Sequence, residues 1–156
     1  MTPKAPRFRS LADRDCRALL RRHHAGRLAF TFRDQADIEP ISYVFEGEWL
    51  YARTAPGTKL VKLRHHPWVA FEVDEITGPF DWRSVVAYGT AYFLSAGALD
   101  HRAYDTAIKL LQSIDPRALT HEDLIPERTT LFRIHIDSMT GRAASTAPVV
   151  KQRRQS

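Results

Sequence analysis

The sequence contains a single cysteine, Cys16, among 156 residues, which excludes an internal disulfide. The chain therefore suits a reducing compartment, and we expect a cytoplasmic protein. No uncharged apolar run is long enough to span a bilayer. The basic start of the chain has no apolar run behind it, so we expect neither a signal peptide nor a membrane partner. With 44% hydrophobic residues, the chain can bury the core of one domain.

Several motifs that mark enzyme chemistry are also absent. The sequence has no G-x-G-x-x-G, no Walker A loop and no G-x-S-x-G elbow. It therefore gives no indication of a Rossmann dinucleotide site, a phosphate-binding loop of that type or an α/β-hydrolase triad. The pairs His23-His24 and His65-His66 have no partner at metal-ligand spacing. We expect no metal, and no residue is assigned as catalytic.

The net charge of +5 and the pI near 9.7 raise the question of nucleic-acid binding. The excess of positive charge lies at the two ends of the chain, in Lys4, Arg7, Arg9, Lys151, Arg153 and Arg154. Without these six cations, 17 basic and 18 acidic residues remain. A globular nucleic-acid binder would have a basic face within its fold. We therefore predict basic tails at residues 1–9 and 143–156, a domain at residues 10–142 and no nucleic-acid partner.

Hydrophobic periodicity predicts six strands and three helices. The strands span residues 26–32, 38–45, 49–55, 67–75, 82–94 and 131–137, and the helices span residues 10–24, 58–66 and about 98–112. Ser10 and Thr58 are the expected N-caps of the first two helices. Gly89, in the middle of the fifth strand, predicts a bend or bulge. Because short turns join most strands, we expect an antiparallel barrel or sandwich with helices packed outside.

Within these elements, certain apolar residues share a face. Cys16, Leu19 and Leu20 lie on one stripe of the first helix, Val69, Phe71 and Val73 on one face of the fourth strand, and Phe132, Ile134 and Ile136 on the inward face of the sixth. Because buried structural cysteine is the common case, Cys16 is interpreted as a core residue rather than a nucleophile.

One stretch, residues 49–60, combines a strand, a Pro-Gly turn and the start of a helix. It gathers Arg53, Thr54, Thr58 and Lys59 where the strand hands over to the helix. Free backbone N–H groups, two hydroxyls and two cations are the chemistry that binds an anionic phosphate. An ordinary strand–turn–helix with solvated charges has the same pattern, and spacing alone does not separate the two interpretations.

Five segments, taken together, have the order and spacing of a known family. They are LYARTAPGTKLVKLRHHPWVAFEVDE (50–75), WRSVVAYGTAYFL (82–94), GRLAF (26–30), PISYV (40–44) and TGR (140–142). The chain resembles, over nearly all of residues 11–142, the flavin-nucleotide-binding split-barrel family related to pyridoxamine 5′-phosphate oxidase. The resemblance implies a mainly β fold with flanking helices, namely a six-stranded antiparallel Greek-key split β-barrel of the FMN-binding type.

The resemblance also implies a homodimer with FMN in a groove between the subunits. Three groups of residues would contact the cofactor by position. They are Arg53, Thr54, Thr58 and Lys59 at the phosphate and ribityl end, Ile41, Ser42 and Tyr43 beside the isoalloxazine, and Trp82, Arg83 and Ser84 approaching from the partner subunit. The flavin would carry the redox chemistry, with the protein orienting it and excluding water.

The chain departs from the true oxidase in two places. The strand that carries an Arg and a Lys in that enzyme carries Ser42 and Tyr43 here, and the C-terminus lacks its Trp and Arg-Leu-rich pattern. Pyridoxamine oxidation is therefore not expected. We expect an FMN-dependent oxidoreductase acting on an unidentified small molecule. The alternatives are a deazaflavin-dependent reductase on the same fold and a non-catalytic flavin- or haem-binding protein.

Overall fold

A computed structural model describes residues 5–97 and 101–146 of the chain. In chain order, its elements are β1 (Arg7–Ser10), α1 (Asp13–Arg22), β2 (Ala25–Phe32), β3 (Gln35–Glu46), β4 (Trp49–Thr54), α2 (Thr58–His65), β5 (Trp68–Gly78), β6 (Asp81–Phe93), α3 (His101–Ile114) and β7 (Thr130–Ser145). None of the helices in these ranges is both long enough and apolar enough to cross a membrane.

The strands form one antiparallel sheet that closes on itself. Their order is β1-β7-β4-β3-β2-β5-β6, and β6 also pairs with β7. The long strand β7 pairs with β6 along one edge, and with β4 and then β1 along the other. Closure satisfies backbone groups that an open sheet edge would leave unpaired. The predicted mainly β split-barrel class is confirmed, with seven described strands rather than six.

The strand missing from the prediction is β1, which lies in the segment expected to be a basic tail. It pairs with residues 142–145 of β7, so the TGR segment at residues 140–142 lies within that strand. Position 141 requires a glycine because a Cβ there would lie 2.5 Å from the Cys16 Sγ atom and 2.8 Å from the Leu11 Cβ atom. The domain boundaries predicted at residues 9 and 142 therefore fall inside this strand pair. A predicted pairing at residues 149–150 lies outside the described residues.

Neither predicted N-cap residue caps its helix: Ala12 takes the place expected for Ser10, and Gly57 that expected for Thr58. Ser10 belongs to β1, so α1 begins after Ala12, which makes no side-chain cap hydrogen bond. Asp13 and Asp15 instead place negative charge in the first turn, where it is favourable toward the helix dipole. The N-cap of α2 is Gly57 rather than Thr58, so the Thr58 hydroxyl is not committed to capping.

The core has two parts that meet across the sheet. The barrel interior holds the predicted apolar faces, including Phe71 and Phe132 at 1% and 0% exposure. Cys16 is buried there too, and burial raises the pKa of its thiol, which supports the core interpretation. A second cluster lies on the outer face, where α3 covers Val44, Tyr51 and Leu131. Arg53 lies two positions beyond Tyr51 in β4 and on the same face of the strand.

Glu75 joins α1 to β5. Its carboxylate accepts a hydrogen bond from Arg22 Nε at 2.7 Å and lies 2.6 Å from His23 Nε2. The Arg22 guanidinium, and then the His23 ring, lower the pKa of this carboxyl from the usual 4.5 to about 2. A lowered folded-state pKa means that this stabilisation is complete above pH 4.5 and is lost as the pH falls toward 2.

Between pH 4.5 and pH 2, we expect the free energy of unfolding to fall less in Glu75→Gln than in the wild type. Urea unfolding at both pH values measures that loss. The matched control is Glu46→Gln, which changes an exposed carboxylate at the end of β3. An equal loss in wild type and Glu75→Gln would show that the contacts with Arg22 and His23 contribute nothing.

Candidate functional site

A cleft of about 410 Å³ lies where β4 ends and α2 begins. The turn from Ala55 to Gly57 forms one wall, β3 forms another, and a residue from the connection between α3 and β7 closes the third side. The lining residues are Glu39, Pro40, Ile41, Arg53, Thr54, Ala55, Pro56, Gly57, Thr58, Lys59 and Arg128. The structure thus brings together five of the residues predicted from sequence: Ile41, Arg53, Thr54, Thr58 and Lys59.

The two lysines of α2 are paired with carboxylates of β3. Lys59 Nζ lies 2.5 Å from Glu39 Oε2 at the cleft, and Lys62 Nζ lies 2.6 Å from Asp37 Oδ2 one turn further along the helix. The Lys59 side chain is 17% exposed, whereas that of Glu39 is 45% exposed. Because Glu39 is nearly half exposed, this ion pair contributes little to stability, and it holds the Lys59 ammonium at the cleft.

Arg53 forms the best-sheltered ion pair among the described residues. Its Nη1 and Nη2 atoms donate to the two carboxylate oxygens of Asp123 at 2.5 and 3.1 Å. The two side chains are only 9% and 3% exposed. The Arg53 guanidinium holds the pKa of the Asp123 carboxyl well below its usual range, with further help from the backbone N–H groups of Leu119 and Ile125.

This pair changes the expectation for Arg53. The family resemblance places Arg53 at the phosphate end of the cofactor, but both of its Nη atoms already donate to Asp123. Arg53 lies at the cleft, and its planar set of donors faces a carboxylate of its own chain.

The two threonines occupy different depths. Thr54 is 6% exposed, and its Oγ1 atom donates to the Ala55 carbonyl at 3.5 Å. Thr58, in the first turn of α2, is exposed to the cleft. Its hydroxyl and the unpaired N–H groups at the start of α2 provide hydrogen-bond donors where an anion is favoured.

The predicted ring contacts separate onto two faces of β3, because adjacent strand residues point in opposite directions. Ile41 lines the cleft and is 6% exposed, while Ser42 is exposed on the other face. Tyr43 is completely buried in the barrel, where its hydroxyl donates to the Leu20 carbonyl at 2.7 Å and its ring meets the edge of Phe71. Burial raises the pKa of Tyr43. Its side chain therefore belongs to the core and does not reach the cleft.

The third predicted group lies elsewhere on the same subunit. Trp82, Arg83 and Ser84 begin β6, pair with residues 142–144 of β7 and do not line the cleft. The Trp82 ring lies 6.3 Å from that of Phe8, and Ser84 Oγ donates to Glu72 Oε2 at 3.4 Å. Their approach to a cofactor from a second subunit stays a prediction.

Three residues of the site escaped the sequence analysis. Glu39 and Arg128 line the cleft, and Asp123 holds Arg53. Glu39 could have been found, because it sits beside Pro40 in a segment already singled out. Asp123 lies 70 residues from Arg53 along the chain, in a polar connection without periodicity, so no local pattern links the two.

Comparison with known proteins gives a consistent result. The family model for pyridoxamine 5′-phosphate oxidase matches residues 12–143. Protein RA0666 of Rhizobium meliloti (strain 1021) is 30% identical over 146 residues, which cover 87% of this chain and 95% of the relative.

Two solved structures share both the fold and part of the sequence. A FAD-binding protein from Mesorhizobium loti is 29% identical, with a TM-score of 0.71 over 86% of this chain and 96% of that one. A Corynebacterium glutamicum protein described as a candidate pyridoxamine 5′-phosphate oxidase is 26% identical, with a TM-score of 0.67 over 90% and 100% of the two chains. The chain with this closed sheet and this β4–α2 cleft belongs to the pyridoxamine 5′-phosphate oxidase family.

Proposed function

We propose that this protein binds a flavin nucleotide, FMN, in the β4–α2 cleft and acts as an oxidoreductase on a small molecule. The observation that carries the proposal is the cleft itself. It combines the apolar side chain of Ile41 with the Thr58 hydroxyl, the Lys59 ammonium and the start of α2. Family membership and the FAD-binding relative from M. loti support a flavin as the ligand.

The residues divide into a phosphate end and a ring end. Thr58 and Lys59 provide a hydroxyl and a charge for the phosphate, and the free N–H groups of the first turn of α2 add to them. Ile41 offers an apolar surface beside the isoalloxazine, and Ser42 lies on the neighbouring outer face.

The remaining contacts would come from a second copy of the chain. Trp82, Arg83 and Ser84 do not line the cleft of their own subunit. A homodimer would bring those residues of one copy to the cleft of the other. Static light scattering tests this: a monomer in the presence of bound flavin would rule out a two-subunit site.

A bound flavin would supply hydride or electron transfer. The chain's own residues bind its phosphate, orient its ring and exclude water from one side. No side chain lining the cleft is assigned as an acid or base, so the proposal leaves proton transfer to solvent.

An absorption spectrum and a titration test the proposal. Freshly purified protein, or protein mixed with FMN, is expected to show flavin bands shifted from those of the free cofactor. Parallel titrations with FAD and a deazaflavin coenzyme, together with inspection for a Soret band, separate the alternatives. Reduction of the bound flavin by NADH or NADPH and reoxidation by an acceptor would support the oxidoreductase role. A colourless protein that takes up no flavin contradicts the proposal.

Lys59→Ala is expected to weaken FMN binding by about 1–3 kcal/mol, the scale of a lost hydrogen bond to a charged group. The matched control is Lys62→Ala, which removes a cation from the same helix, also paired with a β3 carboxylate, but outside the cleft. Fluorescence quenching of the flavin measures both dissociation constants. Equal changes in the two variants would mean that Lys59 acts only through the general charge of α2.

A further inference from the structure

Arg128 is the cleft cation without a partner. It ends the polar connection between α3 and β7 and lines the cleft together with Thr58 and Lys59. Within residues 5–97 and 101–146, its guanidinium makes no ion pair and donates no hydrogen bond. Lys59 and Arg53, the other two cations there, are paired with Glu39 and Asp123.

The position of Arg128 is fixed through its backbone. Arg53 Nη1 lies 3.5 Å from the Arg128 carbonyl oxygen, while the same guanidinium holds Asp123. Asp123 in turn accepts the backbone N–H groups of Leu119 and Ile125 at 2.8 and 3.1 Å. The Arg53–Asp123 pair therefore links the backbone of the connection at Leu119, Ile125 and Arg128 to the end of β4.

The charges of these residues explain why Arg128 differs from Arg53. The Arg53–Asp123 pair is neutral overall, and the Nη1 and Nη2 donors of Arg53 point at the Asp123 carboxylate, so the pair adds little attraction for an anion. A guanidinium with free donors can instead form two parallel hydrogen bonds to phosphate oxygens.

We propose that Arg128 binds the phosphate of the flavin nucleotide, and that Arg53 and Asp123 are positioning residues that hold the connection carrying it. The inference deepens the proposed function and rests on it. It assigns the bidentate phosphate contact to the end of the α3–β7 connection rather than to β4. The ligand class it selects is a flavin bearing a phosphate, as against riboflavin, which has none.

The test compares FMN, FAD and riboflavin on the same set of purified variants. Arg128→Ala is expected to lower FMN affinity roughly 10- to 100-fold, the scale of losing charge-assisted hydrogen bonds, and to leave riboflavin affinity unchanged. Arg128→Lys should recover part of the loss, because charge remains but the planar donors do not. The control Arg117→Ala removes a half-exposed arginine of the same connection that pairs with Asp115 outside the cleft, and should change neither affinity.

Asp123→Asn tests the positioning role. It keeps the shape of the side chain but replaces the ion pair that holds the connection, so FMN affinity should fall through Arg128 while riboflavin affinity holds. Because the change also leaves the Arg53 charge uncompensated beside the cleft, a rise in FMN affinity would mean that Asp123 acts through its charge and would overturn the positioning role. If Asp123 acts through Arg128, adding Asp123→Asn to Arg128→Ala should cause no further loss of FMN affinity. Full additivity of the two changes would overturn the positioning role. Circular dichroism of each variant identifies any that fail to fold, and for an unfolded Asp123→Asn the more conservative Asp123→Glu replaces it.

The outcomes separate this inference from the function on which it rests. If wild type binds FMN and Arg128→Ala binds it equally well, the assignment of Arg128 is wrong and the flavin site stands. If wild type binds FMN and riboflavin equally, no phosphate contact exists and the inference also falls. If wild type binds none of the three flavins, both the proposed function and this inference are overturned.

Discussion

Replacing Phe132 with alanine is expected to lower the free energy of unfolding by about 3–5 kcal/mol, the range for removing a buried aromatic ring. Phe132 is completely buried. It pairs with Ala52 of β4 on one side and with Phe93 of β6 on the other, and the two phenylalanine rings lie 6.1 Å apart. Truncation would therefore leave a cavity at the point where β7 joins both neighbouring strands.

The matched control is Phe80→Ala. Phe80 lies between β5 and β6 and is 47% exposed, so its truncation should change stability by no more than about 0.5 kcal/mol. Urea denaturation measured by tryptophan fluorescence gives both values. A Phe132→Ala cost close to that of the control would mean that neighbouring side chains collapse into the vacated space, and that the barrel interior is more adaptable than its burial indicates.

The same inward alternation explains why most strands could be predicted from the sequence. Phe132, Ile134 and Ile136 recur at every second position because one face of β7 lines the barrel interior, whereas Arg133 and His135 on the other face are only partly buried. β1 shows the limit of this argument. All four of its residues, 7–10, are exposed, so no hydrophobic period marks it. It is a strand because β7 offers it backbone partners, and a partner on another strand leaves no trace in local sequence.

The candidate site, too, was predictable from the sequence only in part. The β4–α2 part of the cleft was predictable because Arg53, Thr58 and Lys59 lie within one short segment whose turn and helix signals are local. The contacts predicted for residues 41–43 stay a prediction, but the Tyr43 side chain is buried against Leu20 of α1 and Phe71 of β5, partners from distant parts of the sequence that no local pattern indicates. Glu39 reaches Lys59 because the folded sheet places β3 beside the start of α2. Asp123 reaches Arg53 because the α3–β7 connection lies against the end of β4. Neither contact is visible in the local sequence.

Gly89→Ala is expected to destabilise the protein by about 3 kcal/mol, at the upper end of the cost of forcing extra atoms into a packed site. A Cβ at position 89 would collide with the backbone carbonyl of His135 and lie 3.2 Å from the Ile134 Cγ2 atom. The carbonyl belongs to β7, which pairs with β6 here, so relief requires the two strands to separate.

The location of Gly89 makes that separation costly. The register between β6 and β7 shifts between Tyr88 and Gly89, while Gly89 also pairs with Val69 of β5. The bulge therefore lets β6 stay paired with both β5 and β7 where the sheet closes into a barrel. Gly97→Ala, where a Cβ meets nothing within 4 Å, is the control and should be nearly neutral. We expect amide hydrogen exchange in Gly89→Ala to accelerate first along the β6–β7 pairing. If the free energy of unfolding is unchanged and exchange along the β6–β7 pairing is no faster than in wild type, the close approach at Gly89 is not what keeps the sheet closed.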